Sequence, residues 1–366
     1  MYKIKKNPED FKVEEVTPEK KVLEIDKEHS FDEATEGDQL ICKLVKKNWE
    51  QNKAIKKISN VLHFSRKRIG YAGTKDKRAL TSQRISIYGA NSDQIKKLKV
   101  KDIEIQPLRY SEERVTLGDL WGNRFTIKIE VDEKTSLNPK EKIPNYFGHQ
   151  RFGKTRPITH LVGKALVKED PEEAVKIYLT KVFEEESEDA KKARKWLRNN
   201  WEDKPFKEAL KEYPDYLGYE RTLLHHLAEY PRDFINAIRK LPKNLQLMFP
   251  HAYQSYLFNQ YLDKVRDKDI VEEEGPIYGY ETEIKNEYEK EVLEENDLEL
   301  KDFKVKCLPE MSEEGKRRKL YIDLEDLEVL EKSEKHYLLR FSLPKGSYAT
   351  VALDEILVDK KGKNSG

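Results

Sequence analysis

Apolar and polar residues alternate strictly at Phe125, Ile127, Ile129 and Val131, which predicts a half-buried strand entered through Gly122 and Asn123. Leu40, Cys42 and Leu44 alternate in the same way over Gln39–Lys47. Asn52 is positioned to cap a following helix whose Ala54, Ile55, Ile58, Val61 and Leu62 share one face. Short apolar pieces at 68–72, 83–88 and 102–108 read as further strands, and 92–98 as a short helix. Near Thr155 the texture changes. From there to residue 267 the period is helical, and Pro157, Pro171, Pro205, Pro231 and Pro242 sit at expected helix starts. One helix is expected over 245–265, interrupted near Pro250, with Tyr253, Tyr256, Leu257 and Tyr261 forming a core stripe. Mixed structure returns over 270–305, and strands are expected at 320–324 and 336–343. Ser347 is expected to cap a final helix with Val351, Ala352, Ile356 and Leu357 turned inward, followed by a disordered tail at 360–366. The order sheet, helices, sheet is that of an α+β protein.

Composition adds bounds. The chain has 366 residues, 37% of them hydrophobic, enough for two domains with real cores. Charged residues reach 38%, against about 25% in an average globular protein. Such density is typical of heat-adapted proteins with ion-pair networks. The 70 basic and 69 acidic residues cancel, so any nucleic-acid site must come from local segregation of charge. Two cysteines, Cys42 and Cys307, far apart and without a CxxC, fit a reducing cytoplasm and exclude a disulfide scaffold. No apolar run has the length of a membrane span, and the start lacks a signal-peptide core. GxxxxGK(S/T), GxGxxG and HExxH are absent, and the scattered histidines suggest no metal site.

The stretch GYAGTKDKRALTSQRISI, residues 70–87, carries the densest candidate chemistry. Gly70 and Gly73 allow tight bending or close approach. Asp76 stands alone among Lys75, Lys77 and Arg78 on a turn between two strands. The residues alone read as a charged turn; a carboxylate so held is also a candidate nucleophile or base. PNYFGHQRFG at 144–153 packs aromatics, glycines, His, Gln and Arg into ten residues, a composition able to stack and hydrogen-bond RNA bases. Lys191, Lys192, Arg194, Lys195 and Arg198 form a basic run whose default is a solvated helix face. Lys316-Arg317-Arg318-Lys319 is a second basic cluster, and the acidic stretch 281–299 is unsuited to RNA.

Five motifs together resemble the TruD family of tRNA pseudouridine synthases. KxNPEDFxVEE at the start, GTKDKRALTSQ, GNRF, NYFGHQRFG and LPKGSYAT follow one another in the family's order. The resemblance implies a discontinuous catalytic domain, 1–154 and 316–366, with a twisted, mostly antiparallel sheet, interrupted by a mainly helical TRUD insertion at 155–315. It implies isomerisation of uridine to pseudouridine in tRNA at position 13, with Asp76 as the catalytic aspartate. Two routes are open, attack on ribose C1′ or removal of a proton from C2′. Lys5, Phe11, Asn123, Phe125, Asn145, Phe147, Gln150, Arg151 and Tyr348 would contact the substrate, with Phe125 and Tyr348 sandwiching the uracil. No metal or other cofactor is implied. The expected partner is tRNA, with no membrane; the monomer is favoured, though the sequence leaves the oligomeric state open. Two other classes remain open: a non-catalytic RNA-binding or RNA-folding protein on the same scaffold, and an acid/base hydrolase that would cleave RNA.

Overall fold

The computed structural model describes residues 2–4, 6–32, 34–132, 135–268 and 270–359. Lys5 and the tail expected to be disordered lie outside the described residues. The chain divides into two compact units, Met1–Ile143 with Ile322–Gly366, and Pro144–Tyr321.

The first unit is built on a mixed sheet. Its strands run in the order Glu325–Lys332, His336–Pro344, Gly122–Glu130, Phe11–Val16, Leu80–Tyr88, Gln39–Lys47, Ile103–Ser111. Neighbours are antiparallel except Phe11–Val16 and Leu80–Tyr88, which are parallel. Ile69–Tyr71 also pairs with Leu80–Tyr88, on its distal half. The expected alternation sets the faces. Phe125, Ile127 and Ile129 join Phe11, Val13, Leu339 and Phe341 in one core, closed by Ala352, Leu353 and Ile356 of the helix Ala349–Ile356. Leu40, Cys42, Leu44, Ile85 and Ile87 form a second core against Ala54, Ile55 and Ile58 of the helix Gln51–Val61. Burying each of those isoleucines contributes ~2 kcal/mol.

Two caps differ from expectation. Glu50, not Asn52, caps the first helix, because its carboxylate reaches the N–H groups of both Asn52 and Lys53 at 2.9 Å. Val61, expected inward, is exposed at that helix's end. Tyr348, not Ser347, occupies the cap position of Ala349–Ile356 and makes no side-chain cap bond.

The second unit is mainly helical. Its core is organised on Lys243–Val265, which runs unbroken through Pro250. Tyr253, Leu257 and Tyr261 are fully buried there, as the stripe predicts, while Tyr256 is only half-buried. Proline removes one backbone bond from a helix, and the apolar packing on both sides of Pro250 outweighs that loss.

The basic helix Glu188–Asn199 departs from the sequence reading at one position. Arg194 is 0% exposed. It and Arg156 share two carboxylates: Arg194 lies 2.8 Å from Glu186 and 2.7 Å from Glu220, and Arg156 lies 3.2 and 2.9 Å from the same two. Arg194 also donates to the carbonyls of Tyr178 and Leu179. Arg194 is therefore an internal tie and no part of an RNA-facing patch. The second basic cluster is likewise partly consumed. It forms the strand Lys316–Lys319, in which Arg317 pairs with the buried Glu289 at 2.6 Å.

Candidate active site

Asp76 sits on the loop between Ile69–Tyr71 and Leu80–Tyr88. Those two strands are hydrogen-bonded, so both ends of the loop are anchored in the sheet. The entry is tight. A Cβ on Gly70 would lie 2.3 Å from the Val115 carbonyl oxygen, so only glycine fits there. Gly73 meets nothing within 4 Å and carries no such constraint.

The cations expected around Asp76 are arranged differently. Lys77 and Arg78 are exposed. The buried Lys75 turns its ammonium to Glu15, 3.2 Å away, and donates to Asn123 Oδ1 at 2.6 Å. Burial pushes the Glu15 carboxyl up and the Lys75 ammonium down, each opposed by the charge of the other. A lysine remote in sequence, Lys46 of the strand Gln39–Lys47 and 0% exposed, meets the Asp76 backbone. Its Nζ donates to the carbonyls of Asp76 and Trp49, both at 2.9 Å, and lies 3.5 Å from that of Lys75. Burial brings the Lys46 ammonium down to about 8, while the negative charges of Asp76 and Glu50 hold it up. Neither Lys46 nor Glu15 is singled out in the sequence. Lys46 looks like a polar position of an alternating strand, and Glu15 like part of an exposed acidic pair.

Asn123 is half-buried at the start of its strand. The preceding Gly122 is required by pairing, since a Cβ there would fall 2.0 Å from the Leu343 carbonyl oxygen. Phe11 and Phe125 are core residues, 2% and 6% exposed. Phe125 packs against Phe341 and Phe11, with ring centroids 5.7 and 6.2 Å apart. Phe125 thus packs as a core aromatic between two other phenylalanines. Tyr348 is half-buried at the cap of Ala349–Ile356. The neighbouring Ser347 hydroxyl has no hydrogen-bond partner among the described residues.

The remaining candidates belong to the helical unit, where Phe147 and Arg151 are tied to Lys243–Val265. Asn145 is buried, bonding the Lys319 carbonyl and accepting from Arg318 at 2.5 Å. Phe147 exchanges two backbone bonds with the Asn259 side chain, and Arg318 lies over its ring at 4.1 Å. Arg151 donates to Ser255 Oγ at 3.0 Å, and Gln150 is exposed. Phe152 packs on His160 and Tyr256.

The family model for tRNA pseudouridine synthase D matches residues 2–274 and 265–356 of this chain. The chain belongs to the TruD family. A relative from Methanopyrus kandleri, named "Probable tRNA pseudouridine synthase D", is 39% identical over 345 residues, covering 88% of this chain and 86% of that one. One of the same name from Methanosarcina barkeri is 37% identical over 420 residues, covering 97% and 92%. A crystal structure from Methanosarcina mazei, named for the same family, is similar with a TM-score of 0.76 at 34% identity, covering 99% of this chain and 94% of that one. The two buried lysines, Lys46 and Lys75, join sheet strands to the loop that bears Asp76.

Proposed function

We propose that this chain isomerises uridine to pseudouridine in tRNA, at position 13, with Asp76 as the catalytic carboxylate. One observation carries the reading. The backbone at Asp76 is held by an ammonium that is itself buried, and the residue before it is held by a buried ion pair. A loop fixed so closely by charged groups is suited to presenting one carboxylate in one geometry.

The reaction breaks the bond between uracil N1 and ribose C1′, turns the base, and closes a bond from C5 to C1′. C5 then gives up its proton and N1 carries one, so the atoms balance. Asp76 either bonds C1′ as N1 departs or takes the C2′ proton; both routes need an ionised carboxylate at the sugar. The base must leave its stack to be reached. In this reading Asn123, held by Lys75, hydrogen-bonds base or ribose, and Tyr348 stacks on the uracil. The chain is assigned to the cytoplasm, which suits its two unpaired cysteines, and among the described residues no helix is long and apolar enough to cross a membrane.

The test uses a tRNA transcript, with pseudouridine located by a base-selective chemical label, since the product has the mass of the substrate. Asp76→Asn is expected to abolish product while still binding tRNA, because the amide is isosteric but neither nucleophile nor base. Product from the purified Asn variant at the rate of the parent would remove Asp76 from this role. Shortened RNA in place of pseudouridine would instead indicate a hydrolase.

A further inference from the structure

In the first unit Lys6, Lys12, Lys20 and Lys47 each pair with a carboxylate. One groove of about 550 Å³ in the same unit gathers cations with no carboxylate in its lining. Arg66, Lys67 and Arg114 line it, and no Asp or Glu does. All three are exposed, and none forms an ion pair among the described residues. Glu112 and Glu113 precede Arg114 in sequence but are not among the walls. Between the cations lie the half-buried ring of Tyr71, the amide of Asn52 and the side chain of Leu117, 76% exposed. Arg114 is braced by a 3.1 Å bond to the Ile69 carbonyl.

We propose that this groove binds the sugar–phosphate backbone of the RNA substrate at nucleotides flanking the target uridine; the inference rests on the tRNA reading above. Two guanidinium forks and an ammonium without carboxylate partners among the described residues are suited to phosphate oxygens. An aromatic face and an exposed aliphatic surface beside them suit ribose and an unstacked base. The groove is built on the strand Ile69–Tyr71, which runs directly into the Asp76 loop. Tyr71 and Asp76 are five residue steps apart, a chain distance of at most ~18 Å, so a strand seated in the groove lies within a few nucleotides of a base held at Asp76. Target choice then has a source in the catalytic unit itself, since every uridine presents the same base and selection must come from its surroundings.

The test measures binding of a labelled tRNA transcript by anisotropy over a range of salt. Arg66→Gln/Lys67→Gln is compared with the parent and with Lys56→Gln/Lys57→Gln. The latter pair is exposed on the helix Gln51–Val61 and lies outside the groove. All four positions are on the surface, and melting curves accompany each variant. Loss of two phosphate contacts is expected to reduce the slope of log Kd against log salt by roughly 1.4 to 1.8, while the control pair keeps the parent slope. Equal flattening by both pairs would indicate net charge alone, and no flattening would leave the groove empty of RNA; either overturns the proposal. Competition by polyglutamate as strong as by RNA of equal charge would assign the groove to an acidic polypeptide and also overturn it. The same samples are assayed for pseudouridine. A parent protein that binds RNA without making pseudouridine defeats the catalytic reading, whereas pseudouridine with an unchanged slope defeats the groove.

Discussion

Glu15 and Asn123 face each other in the antiparallel register of Phe11–Val16 and Gly122–Glu130, and the Lys75 ammonium reaches both. A carboxylate and an amide on two strands are thereby joined to the residue before Asp76. Breaking a buried pair by removing one partner leaves the other charge without compensation. Lys75→Met is expected to lower stability by roughly 3 kcal/mol and to reduce product formation. Lys75→Met/Glu15→Leu should regain most of the stability and little of the activity. Denaturant melts and pseudouridine assays on the pair separate the two effects; a fully active double variant would show that the bridge serves packing only.

Lys46 predicts a pH dependence with opposite signs for activity and stability. Its folded value is about 8, below the usual 10.5, through burial, with Asp76, Glu50 and Lys75 as the charges that face it. Above about pH 8 the ammonium loses a proton, leaving two N–H donors for three carbonyls and removing the Lys46 charge that faces Asp76. Product formation should therefore fall as pH rises through about 8. Stability should not fall with it: the unfolded chain holds this proton more tightly, so this group's contribution rises between about pH 8 and 10.5. Lys46→Arg, which stays charged, should move the alkaline limb upward if it folds. A limb at the same pH in that variant would assign it to another group.

Tyr348 tests stacking against hydrogen bonding. Base–aromatic stacking contributes roughly 1–3 kcal/mol per base. Tyr348→Phe is expected to be mild, and Tyr348→Ala to lower kcat/KM for tRNA by ten-fold or more. Equal damage from both would give the hydroxyl the essential part.

Arg194 is expected to behave as a structural tie. Arg194→Gln should destabilise the helical unit by roughly 3 kcal/mol, since Glu186 and Glu220 remain buried with only Arg156 between them. The salt slope of tRNA binding, measured well below the melting temperature, should be that of the parent. A flattened slope in a folded variant would return Arg194 to the RNA-binding surface.

The expected strands at 125–131 and 39–47 and the tyrosine stripe of Lys243–Val265 were legible because burial on one face imposes a period that a linear sequence preserves. Caps were harder to read, because Glu50 and Asn52 both have acceptors within reach of free N–H groups. The compact units divide at 143/144 and 321/322, so the NYFGHQRFG stretch packs with the helices. Its bonds go to Ser255, Asn259, Arg318 and Lys319 among others, and no local pattern announces partners a hundred residues away or more.

By itself the sequence determined the α+β class, the strand and helix periods and the family motifs, because these depend on neighbours along the chain. Only the tertiary structure decided which charges belong together. Lys75 turned from Asp76 to Glu15, Lys46 took the position beside Asp76, Arg194 went inside, and Arg66, Lys67 and Arg114 were left around a groove without a carboxylate. The physical reason is that an ion pair depends on distance and burial, both set by strand register and packing rather than by sequence spacing.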